Sequence, residues 1–190
     1  TAQRSAEAGL HIHLDKPPGD SLSRFKKVLD TATFHGKTVQ LGYMLRYNPA
    51  FQFMYRAVRE GWLGQLFELH AVMSKTIDDT RRKTLERFGG GGMFELGCHL
   101  IDSVVTLLGA PDKVTSYARR THPEKDNLAD NELAVFEYPK ATATVRVSLI
   151  EYQGPRRRQF VVCGEEGTID IKPLESGEMQ LALSKARGSY

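Results

Sequence analysis

Glu95, His99, Asp102 and Thr106 recur at helical spacing in the stretch 93–108, directly after the run Gly89-Gly90-Gly91-Gly92. At 3.6 residues per turn these four side chains fall within about 60° of one another, while Leu96, Leu100, Ile101, Val104, Val105 and Leu108 take the opposite side. A carboxylate one turn from an imidazole can orient and polarise it. With an unperturbed pKa of about 6.5, that imidazole exchanges protons near neutrality. The same groups suit a metal ion, and a solvated polar face shows the same pattern. No second cluster of ligand-type residues accompanies them, so no metal is expected. On this reading Glu95 and His99 lie on a polar face, where replacing them leaves stability unmoved. Four consecutive glycines mark a place where the backbone bends tightly or comes close to a ligand, and Gly97 lets the helix approach a neighbour. A second chemical signal is Asp15-Lys16-Pro17, which follows the alternating run Leu10–Leu14.

The elements that position these residues follow from periodicity. Residues 2–8 read as the end of a helix closed by Gly9, and Leu10–Leu14 as a short strand. Ser21 or Asp20 can cap a helix whose apolar positions are Leu22, Phe25, Val28, Leu29 and Ala32, and Thr38–Leu45 reads as the next strand. Helix, strand, helix, strand is the grammar of a parallel, helix-covered sheet. Lys16 then stands at the carboxyl end of a parallel strand, where open α/β sheets bind ligands. Two strands are too few for such a sheet, so its partners are expected upstream of Thr1. After Asn48-Pro49 the spacing of Phe51, Met54, Tyr55 and Val58 predicts a helix. Phe67, Leu69, Ala71 and Met73 alternate as a strand, a polar loop reaches Phe88, and a helix spans about Met93 to Leu108. Strands follow near 114–117, 132–138, 141–149, 159–163, 168–171 and 179–183. The alternation of Ala141, Ala143, Val145, Val147 and Leu149 is that of a half-buried antiparallel strand. The fold class is therefore α/β: a remnant of a parallel sheet over residues 1–45, followed over 46–190 by an α+β domain with a large, mostly antiparallel open sheet.

Composition bounds the function. With 41% hydrophobic and 26% charged residues the chain is an ordinary globular one. Its 26 basic residues are set against 23 acidic ones and scattered, which does not point to nucleic acid. Arg81-Arg82-Lys83 and Arg156-Arg157-Arg158 read as solvated loops. Cys98 and Cys163 lack metal-type spacing and read as buried thiols of a reducing compartment, so a cytoplasmic location is expected. No apolar stretch approaches the roughly 18 residues that span a bilayer. An open sheet with one broad face is economically covered by a second subunit, so a homodimer or homotetramer is expected.

In order and spacing, Asp15-Lys16-Pro17, then Gly42-Tyr43-Met44-Leu45-Arg46-Tyr47-Asn48-Pro49, then Gly90 through Asp102 resemble the glucose-fructose oxidoreductase / inositol dehydrogenase / rhizopine-catabolism (Gfo/Idh/MocA) family. The Gly164–Ile169 turn and strand extend the likeness over nearly the whole chain. The resemblance implies an N-terminal Rossmann domain that binds NAD or NADP and a C-terminal α/β domain that shapes the substrate pocket. It implies hydride transfer between a nicotinamide cofactor and a sugar, inositol or related polyol. By the same likeness Lys16 matches the lysine of the Glu-Lys-Pro motif, with Asp15, Lys16 and Pro17 at the cofactor. Glu95 and His99 match the Asp-x-Gly-x-His pair, with His99 as proton acceptor and Lys16, Glu95 and His99 as the catalytic set. Arg46, Asn48 and Asp102 are implied substrate contacts. Asp15 replaces the usual Glu and Glu95 the usual Asp, and the family's Gly-x-Gly-x-x-Gly loop is not in this chain. The 190 residues are therefore expected to be inactive alone. Two other readings accompany this one: an NAD-dependent glycoside hydrolase of the same family, and a non-catalytic sugar-binding or oligomerisation domain.

Overall fold

The computed structural model describes residues 1–185. It divides into two compact units, Thr1–Tyr43 and a larger one beginning at Met44.

In the first unit, α1 (Ala2–Glu7), β1 (Ile12–Leu14), α2 (Leu22–Phe34) and β2 (Val39–Leu41) alternate as the sequence predicts. β1 and β2 pair in parallel, with Ile12 opposite Val39 and Leu14 opposite Leu41. Ser21 caps α2, its Oγ accepting from the Arg24 amide at 3.3 Å. The core of this unit is small: Ala6, Val28 and Ala32, with Ala2, Ile12 and Val39 against them. The predicted apolar stripe of α2 is only partly used, since Leu22 is 83% exposed and Leu29 is also exposed.

The second unit opens with a 3₁₀ turn (Met44–Tyr47) and α3 (Pro49–Arg59), followed by β3 (Leu66–Ser74). α4 (Asp79–Leu85) occupies the segment that reads as a polar loop. Its N-cap is Asp78, whose Oδ1 accepts from the Arg81 amide at 2.7 Å. That acid directly before a short helix is the one signal in the sequence for it. Next come a π-helix (Met93–Gly97) and α5 (Cys98–Leu108) in place of one continuous α-helix. The remaining strands are β4 (Lys113–Arg119), β5 (Asn131–Glu137), β6 (Thr142–Ser148), β7 (Gln159–Gly164), β8 (Gly167–Ile171) and β9 (Gln180–Leu183), with a 3₁₀ turn at Gly154–Arg157. They join β3 in one sheet of order β4-β5-β6-β3-β7-β8-β9. β3 and β6 run parallel and the other neighbours antiparallel.

Period-two alternation sorts the strands into two faces. Leu69, Ala71, Val145, Val162 and Ile169 turn to one side and are buried in the same core as Phe51 and Met54 of α3 and Leu100 and Val104 of α5. Phe51 meets Phe160 edge to face, ring centroids 5.4 Å apart. Burying an aromatic ring of this size stabilises the fold by about 1.5–3 kcal/mol, so the α3–β7 contact is a main tie between helix and sheet. Cys98 and Cys163 are half-buried rather than buried, and neither is in a disulfide.

Candidate functional site

The glycine run is open at its start, where Gly89 to Gly91 line a cavity, and closely packed at its end, at Gly91 and Gly92. Gly91 has φ +43°, and a Cβ there would lie 2.2 Å from the Ala129 carbonyl oxygen. A Cβ on Gly92 would lie 2.9 Å from Val147 Cγ1 and 3.1 Å from Glu132 Oε2. The chain therefore enters the π-helix pressed between the β4–β5 connection and the covered face of β6.

The π-turn changes the face that spacing predicts. Hydrogen bonds of the i→i+5 type put an extra residue into this turn, and both Glu95 and Leu96 are buried, Leu96 in the apolar core and Glu95 against Lys75 and Arg81. Glu95 is 7% exposed and His99 3% exposed. Thr106, a turn and more further on, is exposed as predicted. The solvated-face expectation thus fails for Glu95 and His99, and truncating either side chain is expected to cost stability.

Glu95 lies beneath two cations. Lys75 Nζ donates to Glu95 Oε1 at 3.0 Å and lies 2.9 Å from Oε2, while Arg81 Nη2 donates to Oε1 at 2.9 Å. Lys75 follows the end of β3 and Arg81 sits in α4, so three elements meet at this carboxylate. Neither cation is signalled as a site residue by the sequence. Arg82, next to Arg81, is not in a solvated loop either; it is 4% exposed and bound to Asp126 and Asp130.

Asp102 and Arg46 bind each other. Arg46 Nε donates to Asp102 Oδ2 at 2.7 Å and Nη2 to Oδ1 at 2.6 Å, a bidentate pair that raises the guanidinium's pKa above its ordinary value. Tyr55 of α3 donates to Ser103 Oγ at 2.9 Å, and Ser103 Oγ donates to the His99 carbonyl at 3.2 Å. Two polar ties thus fix α5 next to His99. Asn48 is the N-cap of α3: its Oδ1 accepts from the Ala50 amide at 2.9 Å and its Nδ2 donates to the Leu174 carbonyl at 3.1 Å. The geometry thus gives Asn48 a capping task and Asp102 an ion-pair partner. In the first unit, Asp15, Lys16 and Pro17 follow directly on β1, and Asp15 Oδ1 accepts from the Lys16 amide at 2.8 Å.

Glu132 on β5 is the other polar residue at this spot. It is 5% exposed and its Oε2 accepts from the Met93 amide at 2.7 Å. Burial raises its pKa from 4.5 to about 7, against the lowering effect of the Met93 and Gly92 amides, and Asp130 adds a further upward push. A folded-state pKa above the unfolded one means stability that is full below 4.5 and lost as pH rises through about 7. The interval corresponds to on the order of 3 kcal/mol. Glu132→Gln should therefore be less stable than wild type, relative to its own alkaline value, at about pH 5 and catch up at about pH 8. Urea unfolding followed by the fluorescence of the single tryptophan, the buried Trp62 of the second unit, checks this. A wild-type-minus-variant difference that does not change with pH would count against it.

A helix-covered mixed sheet preceded by a parallel β-α-β unit is the fold of a class of solved dehydrogenases. The chain superimposes with a TM-score of 0.85, at 18% identity, on the WlbA dehydrogenase of Bordetella pertussis, solved with NADH and UDP-GlcNAcA; 98% of this chain and 56% of that one are covered. More particularly, the chain belongs to the GFO/IDH/MocA family: residues 51–170 match the GFO/IDH/MocA C-terminal domain. It is 29% identical over 183 residues to the uncharacterized oxidoreductase YhhX of Escherichia coli, covering 95% of this chain and 51% of that protein. It is 27% identical over 180 residues to D-xylose 1-dehydrogenase (NADP(+)) 2 of Haloferax volcanii, covering 89% and 51%. The chain spans about half the length of the curated relatives it matches. The resemblance read from the motifs is thereby established, as is the fold class.

Proposed function

We propose that this chain is the substrate-side part of an NAD(P)-dependent oxidoreductase that exchanges hydride with a sugar, inositol or related polyol. The observation that carries the reading is His99: an imidazole buried at the start of α5, next to a π-turn, in a family whose relatives include a sugar dehydrogenase. Short π segments inside helices occur frequently at functional sites. Lys16 lies just past the carboxyl end of β1, a donor suited to the polar nicotinamide end of such a cofactor, with Asp15 and Pro17 shaping the turn. When bound, NAD(P) supplies the hydride acceptor. His99 takes the hydroxyl proton of the alcohol as its carbon is oxidised, and Lys16 donates to the same class of oxygen. Glu95 sets the local charge by holding Lys75 and Arg81. Arg46, half-exposed and aimed by Asp102, contacts substrate oxygens.

The test is oxidation of a panel of aldoses, inositols and sugar acids by the complete protein with NAD⁺ and with NADP⁺, followed by nicotinamide absorbance. Turnover of at least one polyhydroxylated substrate is expected. Release of the aglycone from aryl glycosides without net cofactor reduction would instead select the glycoside hydrolase reading.

A further inference from the structure

The registers of the seven strands place Val114, Ser116 and Ala118 of β4, then Glu132, Ala134 and Phe136 of β5, on the face that carries Ala143, Val145 and Val147 of β6. Continued through β3, β7 and β8, this face holds Leu69, Ala71, Met73, Phe160, Val162, Ile169 and Ile171. Among these described positions Glu132 is the one titratable side chain. An apolar residue of similar volume would be cheaper in such a place, because a buried carboxylate gives up its hydration and recovers it only through hydrogen bonds. Those bonds come from one source. Oε2 accepts from the Met93 amide at 2.7 Å, beside the Gly92 amide, which donates to the Ala129 carbonyl at 3.4 Å and also favours the charged carboxylate. These are among the first amides of the helical stretch, which an α- or π-turn leaves without an internal partner. Gly92 is as tight against Glu132 as its missing Cβ allows.

We propose that Glu132 is a positioning residue: its carboxyl group, fixed on the rigid sheet, grips the Met93 amide at the start of the π-helix and so sets where Glu95 and His99 lie. The proposal rests on the reading of His99 as proton acceptor. It accounts for the close packing of Gly92 on β5 and β6, since displacing Gly92 would pull the neighbouring Met93 amide away from the carboxyl group. It also couples a strand element to the site through two atoms, without Glu132 touching substrate.

The experiment compares Glu132→Gln, Glu132→Asp and Glu132→Leu in the complete protein, with His99→Ala alongside. Glutamine keeps an acceptor at the same reach, so it should stay within about threefold of wild type, whereas aspartate and leucine should lower kcat by about 10²-fold, as a displacement near 1 Å can. KM for the cofactor should not move in any of them. Amide hydrogen exchange supplies a readout independent of activity: Gly92 and Met93 should exchange faster in the aspartate and leucine variants and stay protected in the glutamine one, with the β6 amides unchanged in all three. Aspartate keeps the falsification open if leucine fails to fold. Wild-type kcat in the aspartate variant, or unchanged protection at Gly92 and Met93, overturns the proposal. A fully active His99→Ala would instead overturn the underlying reading of function, while the exchange data would still decide whether Glu132 grips the turn.

Discussion

His99→Ala in the complete protein is expected to lower kcat by about 10²- to 10⁴-fold while cofactor affinity barely changes, because removing a general base forfeits proton transfer but not cofactor contacts. The magnitude follows from the role assigned to the imidazole. The interpretation depends on where the imidazole sits. His99 is 3% exposed, so truncation leaves a cavity beside α5 as well as removing the base. His99→Gln is therefore the better partner variant: it keeps most of the volume and a hydrogen-bonding group but cannot exchange protons near neutrality. Both should lose turnover alike, while only alanine should lower the melting temperature appreciably. Glu95→Gln separates the two members of the pair. It removes the one negative charge that Lys75 and Arg81 share, so its first effect is on those cations, and its loss of kcat should be smaller than that of His99→Ala. A fully active His99→Gln on the true substrate would show that the acid–base assignment is wrong.

The strands were legible because their signal is local. In β6 each alternate residue from Ala143 to Val147 is buried, as period two requires. The parallel β1–β2 pair was legible for the same reason. The candidate site residues were named by type and order, through the family motifs, and their environment was not legible. Nothing local to Met93–Gly97 announces a π-turn: the extra residue is accommodated because Gly92 can lie against Val147 and Glu132, which are 55 and 40 positions further along the chain. Lys75 and Arg81 were missed because an ion pair across three elements has no spacing rule. Arg82 was misread for a related reason, since a basic triplet looks solvated unless the acids that neutralise it, Asp126 and Asp130, are known to fold back on it.

That network yields the largest expected effect on stability. Arg82 donates to Asp126 through Nε (2.6 Å) and Nη2 (2.8 Å) and to Asp130 through Nη2 (2.9 Å). Asp130 is fully buried and also accepts from the Thr121 amide and hydroxyl, so one guanidinium ties α4 to both ends of the segment 121–130. Arg82→Met would leave two buried carboxylates without their cation, and breaking a buried pair from one side costs about 3–5 kcal/mol. Arg82→Lys should recover only part of this, since a point charge cannot serve two carboxylates as a planar fork does. The pH dependence identifies the cause. Arg82 holds the Asp126 carboxyl below its ordinary value, so in wild type this contribution is present above 3.8 and lost as pH falls through the folded-state value. In Arg82→Met the stranded carboxylates favour protonation, and the variant's deficit should shrink on acidification. Urea unfolding read at Trp62 across that range tests both points, and a deficit below about 1 kcal/mol, or one that grows toward acid, would refute the account. The effect reaches the site through Ala129, whose carbonyl sits on Gly91 and accepts from the Gly92 amide. Loosening residues 121–130 frees the wall against which the π-turn is set, so Arg82→Met should also speed amide exchange at Gly92, ahead of any global unfolding.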